Sequence, residues 1–348
     1  MKKILAFIII SSLWIALYAK RDLTYFWQDK DGVINAQTSL SFDLIETLLD
    51  ENPPSLSTPT NGRKAALHLL DQIFHDTRLD NSPIVCDYLD QRMNKALEVM
   101  KMPCDSGLRI VKLYNDGWII QSPEVTIGWD IYRGKRLPDG SRSLMKDSIA
   151  SALAEACDIL FLTHNHGDHV DPFVVECFTS AGKPVIATEE IMPTNEHITH
   201  VRYPEIHDTI FTTLSEVKLP VTVIPGHQDH LQNNIYIVEL PCGQTVCSTG
   251  DQWSKEDLEM LLNLADKVPP TDIFLPICWA ASIHEMCRSF GAKVVLTGHE
   301  NELGDHSIDH REAYWLSLDK LEDLEIPNCV MTWGEVLPLS SEVLHAHP

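Results

Sequence analysis

The stretch Thr163-His-Asn-His-Gly-Asp-His169 constrains this chain more than any other, because it packs three imidazoles and a carboxylate into the six residues from His164. The run before it, Cys157-Asp-Ile-Leu-Phe-Leu-Thr, is apolar and of strand length. After it, Asp171-Pro172 pairs a helix-capping residue with a helix-opening proline. The polar residues therefore sit on a turn between a strand and a helix. Neutral imidazole nitrogen and carboxylate oxygen are the donors that borderline divalent ions such as Zn²⁺ prefer. A tight turn can aim alternate side chains at one point and the next pair at a second, so the turn reads as half of a two-metal site. A polar loop is the simpler reading in a chain with 16 His. Three imidazoles at fixed offsets around Gly167 and Asp168, with partners downstream, exceed what composition supplies.

The partners stand at the ends of further apolar runs. Leu219-Pro-Val-Thr-Val-Ile-Pro225 leads into Gly226-His227-Gln228-Asp229-His230. Asn234 to Leu240 and Gln244 to Thr249 read as a hairpin ending at Gly250-Asp251. Lys293-Val-Val-Leu-Thr-Gly298 ends at His299, followed by Glu302 and His306 and then a long helix from about Asp309 to Leu324. Four strand ends thus carry His or Asp, as a sheet with its site at the strand carboxyl termini requires.

The order His-x-His-x-Asp-His, then His, Asp and His resembles the signature of the metallo-β-lactamase fold hydrolases, over roughly residues 106 to 338. The resemblance implies an α/β fold, a four-layer αββα sandwich, here with an N-terminal helical extension. It implies two divalent ions, zinc first and manganese or iron as substitutes. His164, His166 and His227 would hold one, Asp168, His169 and His299 the other, and Asp251 would bridge them. Asp130, at the end of Thr126-Ile-Gly-Trp, looks like the family's acidic residue that orders the ligand loop from behind. His227 and His230 follow the same strand; His227 directly follows Pro225-Gly226, as in many family members, which leaves His230 a supporting or substrate-facing role. Glu302 and His306 are candidates to orient ligands or protonate a leaving group. Two such ions roughly 3.5 to 4 Å apart lower the pKa of a shared water and polarise a carbonyl or phosphoryl oxygen. Asp168, Asp251, His230 and His306 are the residues expected to act in catalysis.

The same residues separate relatives. Diiron oxidoreductases of this fold usually carry Glu where His166 stands, and antibiotic-hydrolysing members usually carry Cys or Ser where Asp251 stands. What remains is hydrolysis of a small ester, lactone, amide or phosphodiester. The Pro-Ile-Cys-Trp-Ala segment from Pro276 is similar to the branch of sugar-acid lactonases and phospholipid phosphodiesterases. A metal-loaded but catalytically silent binding module tethered outside the cytoplasm is the competing class, and turnover of generic substrates separates the two.

With 27 basic against 50 acidic residues, a net of −23, the surface repels a phosphate polymer, which excludes nucleic acid and leaves a small-molecule substrate. Lys2 and Lys3 precede an apolar run from Ile4 to Ala19, the layout of a signal peptide over residues 1–19. Leu17 sits where a small residue is usual before a cut after Ala19, so an uncleaved anchor, and hence a membrane tether, stays open. Export to the periplasm or medium is the expectation. Nine cysteines, an odd number with no Cys-x-x-Cys pair, predict neither a disulfide framework nor a cysteine metal site.

Residues 20–105 read as helical. Leu44, Ile45, Leu48 and Leu49 form one apolar stripe, Ala66, Leu69, Leu70 and Ile73 a second, and Met93, Leu97 and Met100 a third. Residues 106–348 then form the hydrolase-like domain. Leu108 to Tyr114 and Trp118 to Ser122 read as a hairpin closed by Asn115-Asp116-Gly117. Asp147 to Ala156 and Asp171 to Ala181 read as helices, and Pro193 to His207 as loop, a candidate lid.

Overall fold

A computed structural model describes residues 28–340 and 342, apart from 81, 253–254, 265–266, 281 and 304–310. The predicted signal segment and His306 lie outside the described residues. The chain divides into two compact units between Leu44 and Ile45. The first contributes the start of helix α1 (Lys30–Glu51), and everything below concerns the second.

Helices α2 (Asn61–Phe74) and α3 (Pro83–Met100) follow the second and third apolar stripes. Thr60 caps α2 by accepting from Arg63 N, and Pro83 opens α3, where its missing N–H costs nothing. Arg63 on α2 is buried and paired with buried Glu335 at 2.7 Å, and the same amino group, Nη2, also donates to Val330 O at 2.6 Å. This pairing ties the helical region to the last strand of the fold.

The first sheet has seven strands in the order β13-β1-β2-β3-β4-β5-β6. Its strands are β1 (Leu108–Lys112), β2 (Trp118–Gln121), β3 (Thr126–Trp129), β4 (Ile159–Phe161), β5 (Val185–Ala187), β6 (Ile198–His200) and β13 (Val336–Leu339). β3 to β6 are parallel. The crossovers that parallel pairing demands are α4 (Asp147–Ala156) and α5 (Pro172–Ser180), which pack together. The predicted capping role of Asp171 holds: its side chain accepts from Phe173 N at 3.0 Å.

The second sheet has six strands in the order β12-β11-β10-β9-β8-β7. These are β7 (His207–Thr212), β8 (Lys218–Gln228), β9 (Leu231–Glu239), β10 (Thr245–Ser248), β11 (Ile273–Leu275) and β12 (Val294–Val295), and β10 to β12 are parallel. Their crossovers contain α6 (Lys255–Leu261) and α7 (Ile283–Ser289). One apolar core joins the sheets: Ile120, Ile127, Trp129 and Phe161 from the first meet Val223, Tyr236, Val246 and Leu275 from the second. Phe161 bridges them directly, its ring 5.4 Å from Trp129 and 5.2 Å from Tyr236. β3, β4 and β5 are buried at every position, as strands covered on both faces must be. The layering is the αββα sandwich that the resemblance implies.

Three readings need correction. Strand β8 does not stop at Pro225 but runs to Gln228 and turns at Asp229, so β9 begins at Leu231, three residues earlier than read. The stretch from Pro193 to His207 is not all loop: β6 joins the sheet edge beside β5, and His207 opens β7. The last helix, α8, spans Tyr314–Leu321, shorter at both ends than the run from Asp309 to Leu324.

Candidate metal centre

Both sheets aim the carboxyl ends of their parallel strands at one place. Asp130 follows β3, the histidine-rich turn follows β4, Asp251 follows β10, and His299 follows β12. Gly250 allows this convergence. Its φ is +52°, and a Cβ there would stand 2.5 Å from Thr163 Oγ1 and 2.6 Å from Asn233 Oδ1. Asn115, Asp130 and His299 also adopt left-handed backbone, at φ 56°, 42° and 74°. Such conformations are uncommon outside glycine and persist where the surroundings enforce them.

The described side chains form two groups that share Asp251. One is His164, His166 and Asp251; the other is Asp168, His169, Asp251 and His299. His164 Nε2 lies 3.0 Å from His166 Nδ1 and 3.6 Å from Asp251 Oδ2. His169 Nε2 lies 3.1 Å from Asp251 Oδ1 and 3.5 Å from Asp168 Oδ2. His299 Nε2 lies 3.0 Å from Asp168 Oδ2 and 3.7 Å from Asp251 Oδ2. His164, His169, Asp251 and His299 are buried, and His166 is partly so.

Of these contacts, His164 with His166 and His299 with Asp168 are hydrogen bonds, and the others are close approaches. His169 Nε2 and Asp251 Oδ1, although close, lack hydrogen-bond geometry and have no other hydrogen-bond partner among the described residues; nor has His299 Nδ1. Leaving buried polar atoms unpaired is costly. A cation between His169 Nε2 and Asp251 Oδ1 satisfies that pair, so the donor set fits divalent metal.

The electrostatics agree. Burial, and then the neighbouring His169, push His164 well below the ordinary histidine range, which keeps a lone pair free for a ligand role. Burial opposes charge on His169, yet Asp251, Asp168 and Asp130 outweigh it and raise the imidazole well above that range. Burial likewise opposes charge on His299, but Asp251 and Asp168 lift it to about 9. The carboxylates thus demand positive charge beside them, and protons on the rings supply it when no ion does.

Asp130 holds this arrangement from behind, as the resemblance implies. Its Oδ2 accepts from Thr163 Oγ1 at 2.6 Å and pairs with His169 Nδ1 at 2.9 Å, while Oδ1 accepts from Thr163 N at 2.9 Å. The ring's Nε2 is thereby turned toward Asp251.

The structure does not bring His227 or His230 to these groups. Because β8 continues through His227, that residue's position in the pleat points outward, and its side chain is 59% exposed. Asp257 accepts its backbone N–H at 2.9 Å and stands 3.3 Å from its ring. His230 is exposed in the turn. The first group is left with two imidazoles and one shared carboxylate, the number of protein ligands that suits an ion with an open position. Glu302 is buried, 3.9 Å from Lys135. One contributor escaped the sequence reading: Asn115, legible only as turn chemistry, donates to Asp168.

No protein-family model matches the chain, and no curated protein sequence does. Solved structures do. A protein of Parabacteroides distasonis assigned as a metal-dependent hydrolase is 18% identical, covers 65% of this chain and 93% of its own, and has a TM-score of 0.43. Igni18, a metallo hydrolase of Ignicoccus hospitalis, is 14% identical over 68% and 99% of the two chains, with a TM-score of 0.48. A Thermotoga maritima protein assigned to the zinc-dependent hydrolases of the metallo-β-lactamase superfamily is 13% identical over 62% and 85%, with a TM-score of 0.34. The matches also include a diiron β-hydroxylase of Streptomyces venezuelae. Each of these three hydrolases is similar to the chain over about two thirds of its length.

Proposed function

We propose that this chain is a metal-dependent hydrolase that holds two divalent ions, one on His164, His166 and Asp251 and the other on Asp168, His169, Asp251 and His299. The observation that carries the reading is Asp251: one buried carboxylate faces both groups, with Oδ1 toward His169 and Oδ2 toward His164 and His299. Ions bound there would acidify a water near neutral pH and polarise the carbonyl or phosphoryl oxygen of a substrate. The chain's own part is to fix the ligands. Asp130 turns His169, Thr163 ties Asp130 to the ligand loop, and the two-sheet core keeps bulk water from the ligands' buried side. The carboxylates of Asp168 and Asp251, with Asp130 behind His169, offset the ions' charge. Zinc suits these donors, and manganese or iron would also be accepted because nitrogen–oxygen sites discriminate weakly. The substrate we propose is a small ester, lactone, amide or phosphodiester.

The test is turnover of a panel covering those four bonds, before and after removal of metal by a chelator and readdition of Zn²⁺ or Mn²⁺. The expected result is hydrolysis of at least one class, lost with the metal and restored by it. Metal-loaded protein inert toward all four would overturn the hydrolase reading in favour of a silent binding module.

A further inference from the structure

The turn between β1 and β2 holds a residue that the proposed hydrolysis has not used. Asn115 is completely buried and adopts left-handed backbone. Its Nδ2 donates to Asp168 Oδ2 at 3.0 Å, and lies 3.3 Å from Asp168 O and 3.4 Å from His299 Nε2. An ionised carboxylate only accepts, so the amide nitrogen rather than its oxygen faces Asp168. The backbone oxygen of Asn115 accepts from His299 N at 3.3 Å and from Lys112 Nζ. Lys112 is itself buried, with its ammonium 4.5 Å from the Trp118 ring. One residue thus grips the loop after β4 with its side chain and the loop after β12 with its backbone, and these loops belong to opposite sheets.

We infer that Asn115 is a positioning residue for the ion held by Asp168, His169, Asp251 and His299, an assignment that rests on the two-ion reading above. Asp168 is the most exposed carboxylate of the group, at 17% of its side chain, so it is the ligand freest to swing. The Asn115 amide holds it in the orientation that faces His299. Among the described residues the Asn115 side chain hydrogen-bonds only Asp168 and His299, so the ion of the other group should not feel the amide. Lys112 anchors the turn that presents it.

Asparagine and glycine both tolerate left-handed backbone, and so does aspartate. Asn115→Gly therefore removes the amide while preserving the turn, and Asn115→Asp preserves shape while replacing the donor with a carboxylate. Zn²⁺ is titrated into metal-free protein against a chromophoric chelator, with His299→Ala as the reference that loses the same ion. Wild type should take up two ions. Asn115→Gly should bind one of them roughly ten- to a hundredfold more weakly, as loss of a hydrogen-bond partner behind a ligand does, with the other unchanged. Asn115→Asp should alter the same ion's affinity at least about tenfold, in whichever direction the added carboxylate acts. It carries the test by itself if the glycine variant does not fold. Wild-type affinity for both ions in both variants, or equal weakening of the two ions with a lowered melting temperature, would overturn the inference. Fewer than two ions in wild type would instead overturn the reading beneath it.

Discussion

Asp251 and His169 face each other at 3.1 Å, Oδ1 to Nε2, without forming a hydrogen bond, while the far nitrogen of the same ring is paired with Asp130 at 2.9 Å. The ring is held firmly on one side and points an unsatisfied atom at an unsatisfied carboxylate on the other. Replacing Asp251 with alanine leaves the imidazoles of His164, His169 and His299 facing one another with one anion fewer. The five other proposed ligands and the apolar strand carrying Val246 remain, so Asp251→Ala should melt within several degrees of wild type, about 1 to 2 kcal/mol. Turnover should fall at least about a hundredfold, roughly 2.7 kcal/mol. Retained turnover with unchanged metal content would mean that Asp251 is only a strand-terminal cap.

Asp130 should matter through His169 and through its hold on Thr163. Asp130→Asn keeps the size of the side chain but loses the anion that orients the ring, so metal affinity should drop roughly tenfold to a hundredfold. Competition titration with Zn²⁺ reads this directly. Wild-type affinity would show that the ring needs no partner behind it.

His166 and His227 should behave oppositely. His166→Ala removes one of two imidazoles in its group and should empty that site. His227 is exposed and engaged by Asp257, so His227→Ala should keep its metal. Metal analysis of both variants decides it, and loss of an ion from His227→Ala would mean that β8 ends earlier in the working enzyme.

Acid stability should depend on Glu335. Burial pushes its carboxyl up, but Arg63 at 2.7 Å overrides this and holds it below the ordinary value of 4.5. The folded state therefore binds fewer protons here than the unfolded state. The stabilisation is present above pH about 4.5 and is lost as pH falls through the lowered folded value. Glu335→Gln should show a shallower loss of stability than wild type in urea unfolding between pH 5 and 3. Arg63→Met, which strands a buried carboxylate, should cost roughly 3 to 5 kcal/mol at neutral pH. Equal acid slopes in Glu335→Gln and wild type would remove the pair from the account.

The sequence carried the centre because its signals are local. The histidine-rich turn, the Asp171-Pro172 cap and the helix Asp147–Ala156 all stand where short-range pattern put them. His227 went astray because a proline in a hairpin strand reads as a strand end, whereas Pro225 pairs with Asn234 and the ladder continues. β6 was hidden by its length of three residues at a sheet edge, where the neighbouring strand rather than propensity makes the strand. Asn115 was visible as a turn residue, but its grip on Asp168 comes from a separation of 53 positions that no local pattern encodes.

If Asp251 is shared by two ions, metal stoichiometry reads it without any substrate. Wild type reconstituted with Zn²⁺ and freed of excess metal should hold two ions per chain by elemental analysis, His166→Ala and His299→Ala one each. One ion or none in the reconstituted wild type would contradict the account.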